Sequence, residues 1–404
     1  MNRRVAVTGL GIVSALGLTR DSHFEGLREG RSGIGSLDIE DVDRLSVRIG
    51  AQARGFVGED RFDRQELALF DRTTQLAMVA AEEAMADSGV ELTEAETTTT
   101  GVVMGTALNG METIDQNYRA VFQEGKNRVH PFVVPRLMTN AGASQISMKY
   151  GLMGPSWTVT TACSSSNHAL AQAFQMVHGG VSDVMVAGGA EAPLVFGVMK
   201  AWEGLRVMSK DACRPFSKTR SGMVQGEGAA ILVLEEMERA KARGARIWGE
   251  ICGFGMSADA SDIVTPSRDG AARAIRSALR DARMDPSEVA YVNAHGTATA
   301  ANDKTECGAL SDVFGASAAD LSISSTKSMH GHGIGAAGAL EAGAALMAMT
   351  DGVVPPTINH EEADPDCLDL DITPNEAKER DVPAALSNSF AFGGLNAVLA
   401  FRRV

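Results

Sequence analysis

The stretch Thr160-Thr161-Ala162-Cys163-Ser164-Ser165-Ser166-Asn167-His168 holds a cysteine placed to react. A β-branched run ends at Val159 and helix formers follow from Ala169 to Phe174, so Cys163 is predicted where a strand turns into a helix. A thiol there faces unpaired backbone N–H groups and the positive end of the helix dipole, which favour the nucleophilic thiolate. The same residues also read as a small buried cysteine in an Ala/Ser-rich core helix. His295 follows the apolar run Ala290-Tyr291-Val292 and is presented at a strand end, although alone it also reads as a hydrogen-bonded loop histidine. His332 lies between an expected strand and a small-residue helix, in Ser324-Ser325-Thr326-Lys327-Ser328-Met329-His330-Gly331-His332-Gly333, where glycines let the backbone approach a ligand closely. As a metal pair, His330 and His332 lack a nearby Cys, Asp or Glu at familiar ligand spacing. In Asn388-Ser389-Phe390-Ala391-Phe392-Gly393-Gly394-Leu395-Asn396, two glycines after an aromatic pair offer backbone donors beside a movable ring, or form a plain turn before the last strand.

Such residues need elements that hold them. Val5-Ala6-Val7-Thr8 reads as a first strand followed by a glycine turn at Gly9-Leu10-Gly11. It is not a dinucleotide fingerprint, because a third glycine and a β-α-β unit leading to a ribose-binding acid are missing. A helix is predicted over 70–88, with Leu76, Ala77, Ala80, Ala84 and Met85 at helical spacing and Gly89 as its stop. Buried strands are predicted at 101–105 and at 183–187, the second closed by Gly188-Gly189. From Glu235 to Gly244 the chain turns charged and helical, and a strand-rich series restarts at Ile247, which divides the chain into 1–244 and 245–404. The second half repeats the order of elements: helix 270–284, strand 289–292, helix 303–314, strand 321–323, helix 334–349 and a last strand 397–401. Short apolar strands alternating with helices predict parallel sheets covered on both faces, and the repeated order points to an internal duplication.

At 404 residues the chain exceeds one ordinary core and fits two domains or one large layered body. Its 44% hydrophobic and 22% charged residues are those of a soluble globular protein. The 43 glycines, against 3 Trp and 3 Tyr, suggest tight turns and close helix packing. Five cysteines, at 163, 213, 252, 307 and 367, form no C-x-x-C pair and no regular framework, so neither zinc nor disulfides are expected and a reducing cytosol fits. Met1-Asn2-Arg3-Arg4-Val5 leads straight into a strand without a signal peptide, and no apolar run is long enough to span a membrane. A net charge of -14 argues against general nucleic-acid binding while leaving room for a local basic patch facing an acidic partner.

In order along the chain, T-A-C-S-S-S, N-A-H-G-T-x-T, S-T-K-S-M-x-G-H-x-x-G-A-A-G and N-S-F-x-F-G-G resemble the blocks of the β-ketoacyl-acyl carrier protein synthases, more narrowly the elongating KAS II type. The resemblance runs from Val5-Ala6-Val7-Thr8-Gly9 to the C-terminal strand, through Cys213-Arg214-Pro215-Phe216 and Gly226-Glu227-Gly228-Ala229. It implies a thiolase-like α/β fold, two similar halves in five α-β-α-β-α layers, and a homodimer with active sites near the interface. The implied reaction is decarboxylative condensation of an acyl thioester with malonyl-acyl carrier protein, with substrates on phosphopantetheine and no further cofactor.

By that resemblance Cys163 takes the acyl chain, and backbone N–H groups of Cys163 and Phe392 hold the oxyanion. His295 and His332 bind the malonyl thioester carbonyl and stabilise the enolate formed as CO2 leaves. Lys327 structures the site electrostatically with Glu341 in support, Thr297 and Thr299 bind the pantetheine arm, and Phe392 gates the acyl pocket. Leu108 and Trp202 fall where acyl-pocket walls are expected, although ordinary core packing suits them too. Lys126, Arg128 and Arg206 are candidates for docking an acidic carrier protein, or are ordinary solvated surface. No metal, nucleic acid or membrane insertion is expected, and a cytoplasmic location is. The chain departs from the family pattern at Asn302, generally Gly, at Leu395 and Val264, where Thr is common, at Ser217 and Ser221, commonly acids, and at His330, commonly Thr. Together with Asn302-Asp303, the segments 352–357 and 364–367 are similar to rhizobial nodulation-type ketosynthases, which build specialised polyunsaturated acyl chains. Three other readings compete. A thiolase would place a second cysteine where Phe392-Gly393-Gly394 stands, a non-catalytic chain-length partner in a heterodimer usually lacks the nucleophile, and a cysteine hydrolase leaves Lys327 and one histidine unexplained.

Overall fold

Ten strands form the scaffold of the computed structural model, which describes residues 3–404. In the first half they are β1 (Val5–Ser14), β2 (Gly101–Gly105), β3 (Ser156–Val159), β4 (Val184–Glu191) and β5 (Gly228–Glu236). In the second they are β6 (Gly249–Ala258), β7 (Tyr291–Asn293), β8 (Ser322–Ser324), β9 (Ala384–Ala391) and β10 (Leu395–Arg402). The first five lie in the order β1-β5-β4-β2-β3 and the last five in the order β6-β10-β9-β7-β8, so the same arrangement occurs twice. The two sets join where Val5–Val7 of β1 runs antiparallel to Gly249–Ile251 of β6.

The expected parallel sheets are mixed. Only β4-β2-β3 and β9-β7-β8 are parallel, and each trio is flanked by antiparallel strands. The reason is local: β9 returns as β10 through Phe392-Gly393-Gly394, and a connection that short can form only a hairpin.

Five helices complete the layers. The helix α1 (Arg72–Ser88) packs on β1 and β5, α3 (Arg268–Asp281) packs on β6 and β10, and α4 (Ala300–Phe314) lies beside α3. Between the two sets of strands, α2 (Ser165–His178) and α5 (Ala337–Asp351) touch strands of both halves and each other. Every residue of α5 from Ala337 to Met349 is buried, as a middle layer requires, and Glu341 is the one charged residue among them. The layering is therefore helix, sheet, helix, sheet, helix, the thiolase-like arrangement.

Two glycine signals meant something other than a turn. β1 continues unbroken through Gly9 and Gly11, because a Cβ there would come within 2.2 Å and 2.0 Å of the Ala84 and Ala80 carbonyls of α1. In β6, Gly253 and Gly255 accept the end of α3 and α3 itself in the same way, with a Cβ on Gly255 only 2.0 Å from the Ala274 carbonyl. Gly188 and Gly189 likewise lie inside β4, where a Cβ at 189 would strike Ser166 of α2. The expectation of no disulfide is also overturned. Cys307 of α4 is bonded to Cys367, 60 residues on, because the loop at 365–367 is packed against α4. Among the described residues no helix is long and apolar enough to cross a membrane.

Candidate active site

The sequence around Cys163 makes a tight elbow. β3 ends at Val159, Ala162 adopts the left-handed φ of 50° that a non-glycine residue tolerates only under constraint, and α2 starts at Ser165. Hydroxyls supply the constraint: Ser165 Oγ donates to the Ala162 carbonyl and accepts from the Thr161 N–H, while Ser164 Oγ reaches the Leu395 carbonyl of β10 at 2.9 Å. Cys163 is thus held between the two halves, 6% exposed, with the backbone N–H groups of Phe392 and of Cys163 itself bearing on its sulfur. The expected thiolate is not the resting form. Burial pushes the Cys163 thiol up to about 12 and the nearby Glu191 adds to this, outweighing Lys327 and the two N–H groups, which pull it down.

His295 leaves β7, and its backbone is clamped by Glu306 of α4, which accepts the N–H of His295 at 2.8 Å and of Gly296 at 2.7 Å. Asn388 of β9 donates to the same carboxylate at 3.1 Å. His332 is fixed by its N–H to the Val224 carbonyl at 2.7 Å. The two imidazoles stand 5.5 Å apart and nearly perpendicular, at 84°. His295 Nδ1 and both ring nitrogens of His332 have no hydrogen-bond partner among the described residues. Burial first, and the charge of Lys327 second, hold both rings well below the ordinary histidine range, so they are neutral. Lys327 is fully buried and paired with Glu341 of α5. Burial raises that carboxyl while Lys327 draws it back, so the Lys327 ammonium beside the imidazoles is buried together with its counter-charge.

Cys163, His295 and His332 open on one cavity of about 80 Å³, lined also by Thr297, Thr299, Trp202 and Phe392. The Thr297 and Thr299 hydroxyls are 2.9 Å apart, and the Phe392 ring stacks on Trp202 at 5.8 Å. Leu108 is not part of that lining; its N–H is bound by Glu191 at 2.9 Å. Lys126 and Arg128 lie on an exposed stretch, Lys126 paired with Glu124, and Arg206 ends the helix Phe196–Leu205 at the surface. Among the described residues no group of three or more His, Cys, Asp or Glu is gathered to hold a metal ion.

Three acids that shape the site escaped sequence reasoning. Glu306 clamps His295, and Asp303 accepts the N–H groups of Phe216 and Ala298. Glu191, raised to about 7 by burial, ties Ala107 and Leu108 to Gly335 beside His332. The signals were present: Asp303 and Glu306 are three apart on one helix just after the His295 block, and Glu191 is the lone acid closing an otherwise apolar strand.

Residues 2–240 match the model of the β-ketoacyl synthase N-terminal domain, and residues 248–361 that of the C-terminal domain. The chain is 49% identical to nodulation protein E of Rhizobium sp. (strain N33) over 404 residues, all of both chains. It is 40% identical to the 3-oxoacyl-[acyl-carrier-protein] synthase 2 of Staphylococcus aureus (strain COL) over 409 aligned residues, covering 100% of this chain and 99% of the relative. Among solved structures, the ishigamide ketosynthase/chain length factor superposes over the whole of both chains with a TM-score of 0.93 at 37% identity.

Proposed function

The chain belongs to the β-ketoacyl synthase family and is a ketosynthase, and we propose that Cys163, His295 and His332 carry its reaction from the cavity they share, with Lys327 behind them. The observation that supports this is the convergence itself: a thiol from the first half and two neutral imidazoles from the second face one small space. Cys163 attacks the thioester of an acyl carrier protein, the new S–C bond forms as the old one breaks, and the thiol proton leaves on the departing pantetheine sulfur. The carbonyl oxygen is held meanwhile by the N–H groups of Cys163 and Phe392. A malonyl thioester then enters. Loss of CO2 delivers the bonding electron pair to its carbonyl, whose oxygen takes hydrogen bonds from His295 and His332. The enolate carbon attacks the acyl group, and collapse expels the Cys163 sulfur, which takes up one proton. Neutral rings suit this step, since each donates an N–H without offering a full proton that would quench the carbanion.

Thr297 and Thr299 bind the pantetheine arm, and Phe392 swings off Trp202 to admit the chain, for which a cavity of about 80 Å³ is too small at rest. Trp202 borders the acyl pocket, and Lys126, Arg128 and Arg206 receive the acidic carrier. The working division is 1–244, which brings the nucleophile, and 245–404, which brings both histidines. The protein acts in the cytoplasm and pairs with a second copy or with a chain-length partner, as the relative named ketosynthase/chain length factor suggests. The nodulation-protein relative and the departures at Asn302, His330 and Leu395 favour a specialised acyl chain over general elongation. Intact-mass measurement after mixing with a panel of acyl carrier thioesters, then malonyl carrier protein, tests the proposal. Acyl mass on Cys163 followed by a product two carbons longer is expected, and absence of loading from every thioester refutes it.

A further inference from the structure

We infer that Asn302 recognises the substrate arm: its carboxamide oxygen accepts a hydrogen bond from an amide N–H of pantetheine, a contact that rests on the condensing activity proposed above. Asn302 stands in the first turn of α4, 8% exposed, and lines the cavity of Cys163, Thr297 and Thr299. Its orientation is set by two buried carboxylates. Nδ2 lies 3.2 Å from Asp303 Oδ1 and 3.5 Å from Glu306 Oε2, and those oxygens already accept the N–H groups of Ala298 and Gly296. Turning the amide over would set oxygen against acceptor oxygen, so Oδ1 is the end directed away from both acids. Among the described residues no donor is bonded to it.

The rest of the lining gives that oxygen its use. Trp202, Val207, Met223, Val264 and Pro266 are apolar, and of the polar groups beside Asn302 the Thr297 and Thr299 hydroxyls are held close together by their own contact, at one place along the passage. A pantetheine arm carries two amide N–H groups, which lose water in such a passage and need an acceptor. Asn302 Oδ1 is one, fixed in place before the arm arrives. A glycine at this position would offer nothing.

Alkylation of Cys163 tests the contact without requiring condensation. A chloroacetonyl thioether of pantetheine carries the two arm amides, and chloroacetonyl ethyl sulfide carries none. In both cases the C–S bond forms as C–Cl breaks, with chloride leaving and the thiol proton passing to solvent. The inactivation efficiency kinact/KI is measured by intact mass for the native protein, Asn302→Ala and Asn302→Ser, with thermal melts to establish that each variant folds. Both variants should lose about tenfold toward the pantetheine reagent, through KI, and change little toward the ethyl reagent, as one neutral hydrogen bond predicts. Equal loss toward both reagents would show that Asn302 acts only by holding Asp303 and Glu306, and no loss toward either would show that it touches nothing; both overturn the inference. A native protein that shows the arm selectivity yet releases no condensed product would sink the proposed activity and not this contact.

Discussion

At the scale of residues, the active site is a division of labour among groups whose protonation is set by burial. Burial keeps the Cys163 thiol protonated at rest, and His295 and His332 uncharged. Cys163→Ala should therefore show no acyl mass from any carrier thioester. His295→Ala should still load while CO2 release falls by roughly two to three powers of ten, the usual cost of one oxyanion donor. Labelled malonyl carrier protein separates the two steps, and an acylated Cys163→Ala protein would end the assignment. A further histidine reports on stability. His23 is wholly buried, bonded to Ser14 at 2.7 Å, and burial lowers it to about 3. The unfolded chain then binds a proton at His23 below pH 6.5 that the folded chain does not, so its contribution to stability is intact above pH 6.5 and is lost as pH falls toward 3. Between pH 7 and 5 this amounts to about 2 kcal/mol. His23→Gln should flatten the urea-measured fall in stability over that interval by a similar amount, whatever its stability at pH 7. The three residues that meet at the cavity, Cys163, His295 and His332, were legible in the sequence, because each sits in a run of small residues at an element boundary. The acids behind them were not, since a carboxylate that clamps backbone N–H groups, like Glu306, looks in sequence like any helix acid.

At the scale of elements, the fold depends on helices lying closer to strands than a side chain allows. Gly11 in β1 and Gly255 in β6 stand against carbonyls of α1 and α3, at equivalent places in the two halves. An added methyl would meet backbone, which cannot rotate aside. Gly11→Ala and Gly255→Ala should each cost about 1–3 kcal/mol in urea unfolding, at the upper end because neither contact has slack. Gly89→Ala lies in open space, but at a φ of 53° it pays a backbone cost of only about 1 kcal/mol. This is also why the strand boundaries were misread: glycine marks turns and close approaches alike, and sequence spacing cannot tell a turn at Gly9-Leu10-Gly11 from a strand pressed against a helix. The Cys307–Cys367 bond was illegible for another reason, since partners 60 residues apart come together only through the path of the loop. It ties α4, which carries Asn302, Asp303 and Glu306, to that loop, and Cys307 is fully buried with Cys367 5% exposed. Cys367→Ser should lower stability by up to about 4 kcal/mol, from the entropy of a 60-residue loop. Thiol counting under denaturing conditions checks the bond itself: three free thiols are expected, at Cys163, Cys213 and Cys252.

At the scale of the whole molecule, the ten strands leave two edges, and they are treated differently. The β8 edge is covered, because Ser322 pairs with Asp371 of a following segment. Among the described residues no segment pairs with the β3 edge. Beside it runs a continuous surface in which the helix Met111–Phe122 packs on Val133–Leu137, that helix on Ala141–Tyr150, and the last on β3. Along this surface Phe122 is 78% exposed, with Tyr118 and Val134 each at 62% and Met148 at 64%. An open strand edge flanked by large apolar side chains is unstable in water and calls for a partner. The strand edge suits a second copy paired across a two-fold axis, because a strand beside its own two-fold image is antiparallel and satisfies both sets of N–H and C=O groups. Phe122→Asp combined with Val134→Asp should therefore raise the dissociation constant of the pair by at least about a hundredfold, read by light scattering on a dilution series, since each change places a charge in a desolvated contact. Both positions are distant in sequence from the catalytic blocks, so acyl loading of Cys163 by a small thioester separates loss of the pair from loss of the fold. A native protein that stays monomeric at micromolar concentration would show that this face awaits a different chain, and a related chain-length partner added to it should then restore a pair that the doubly substituted protein cannot form.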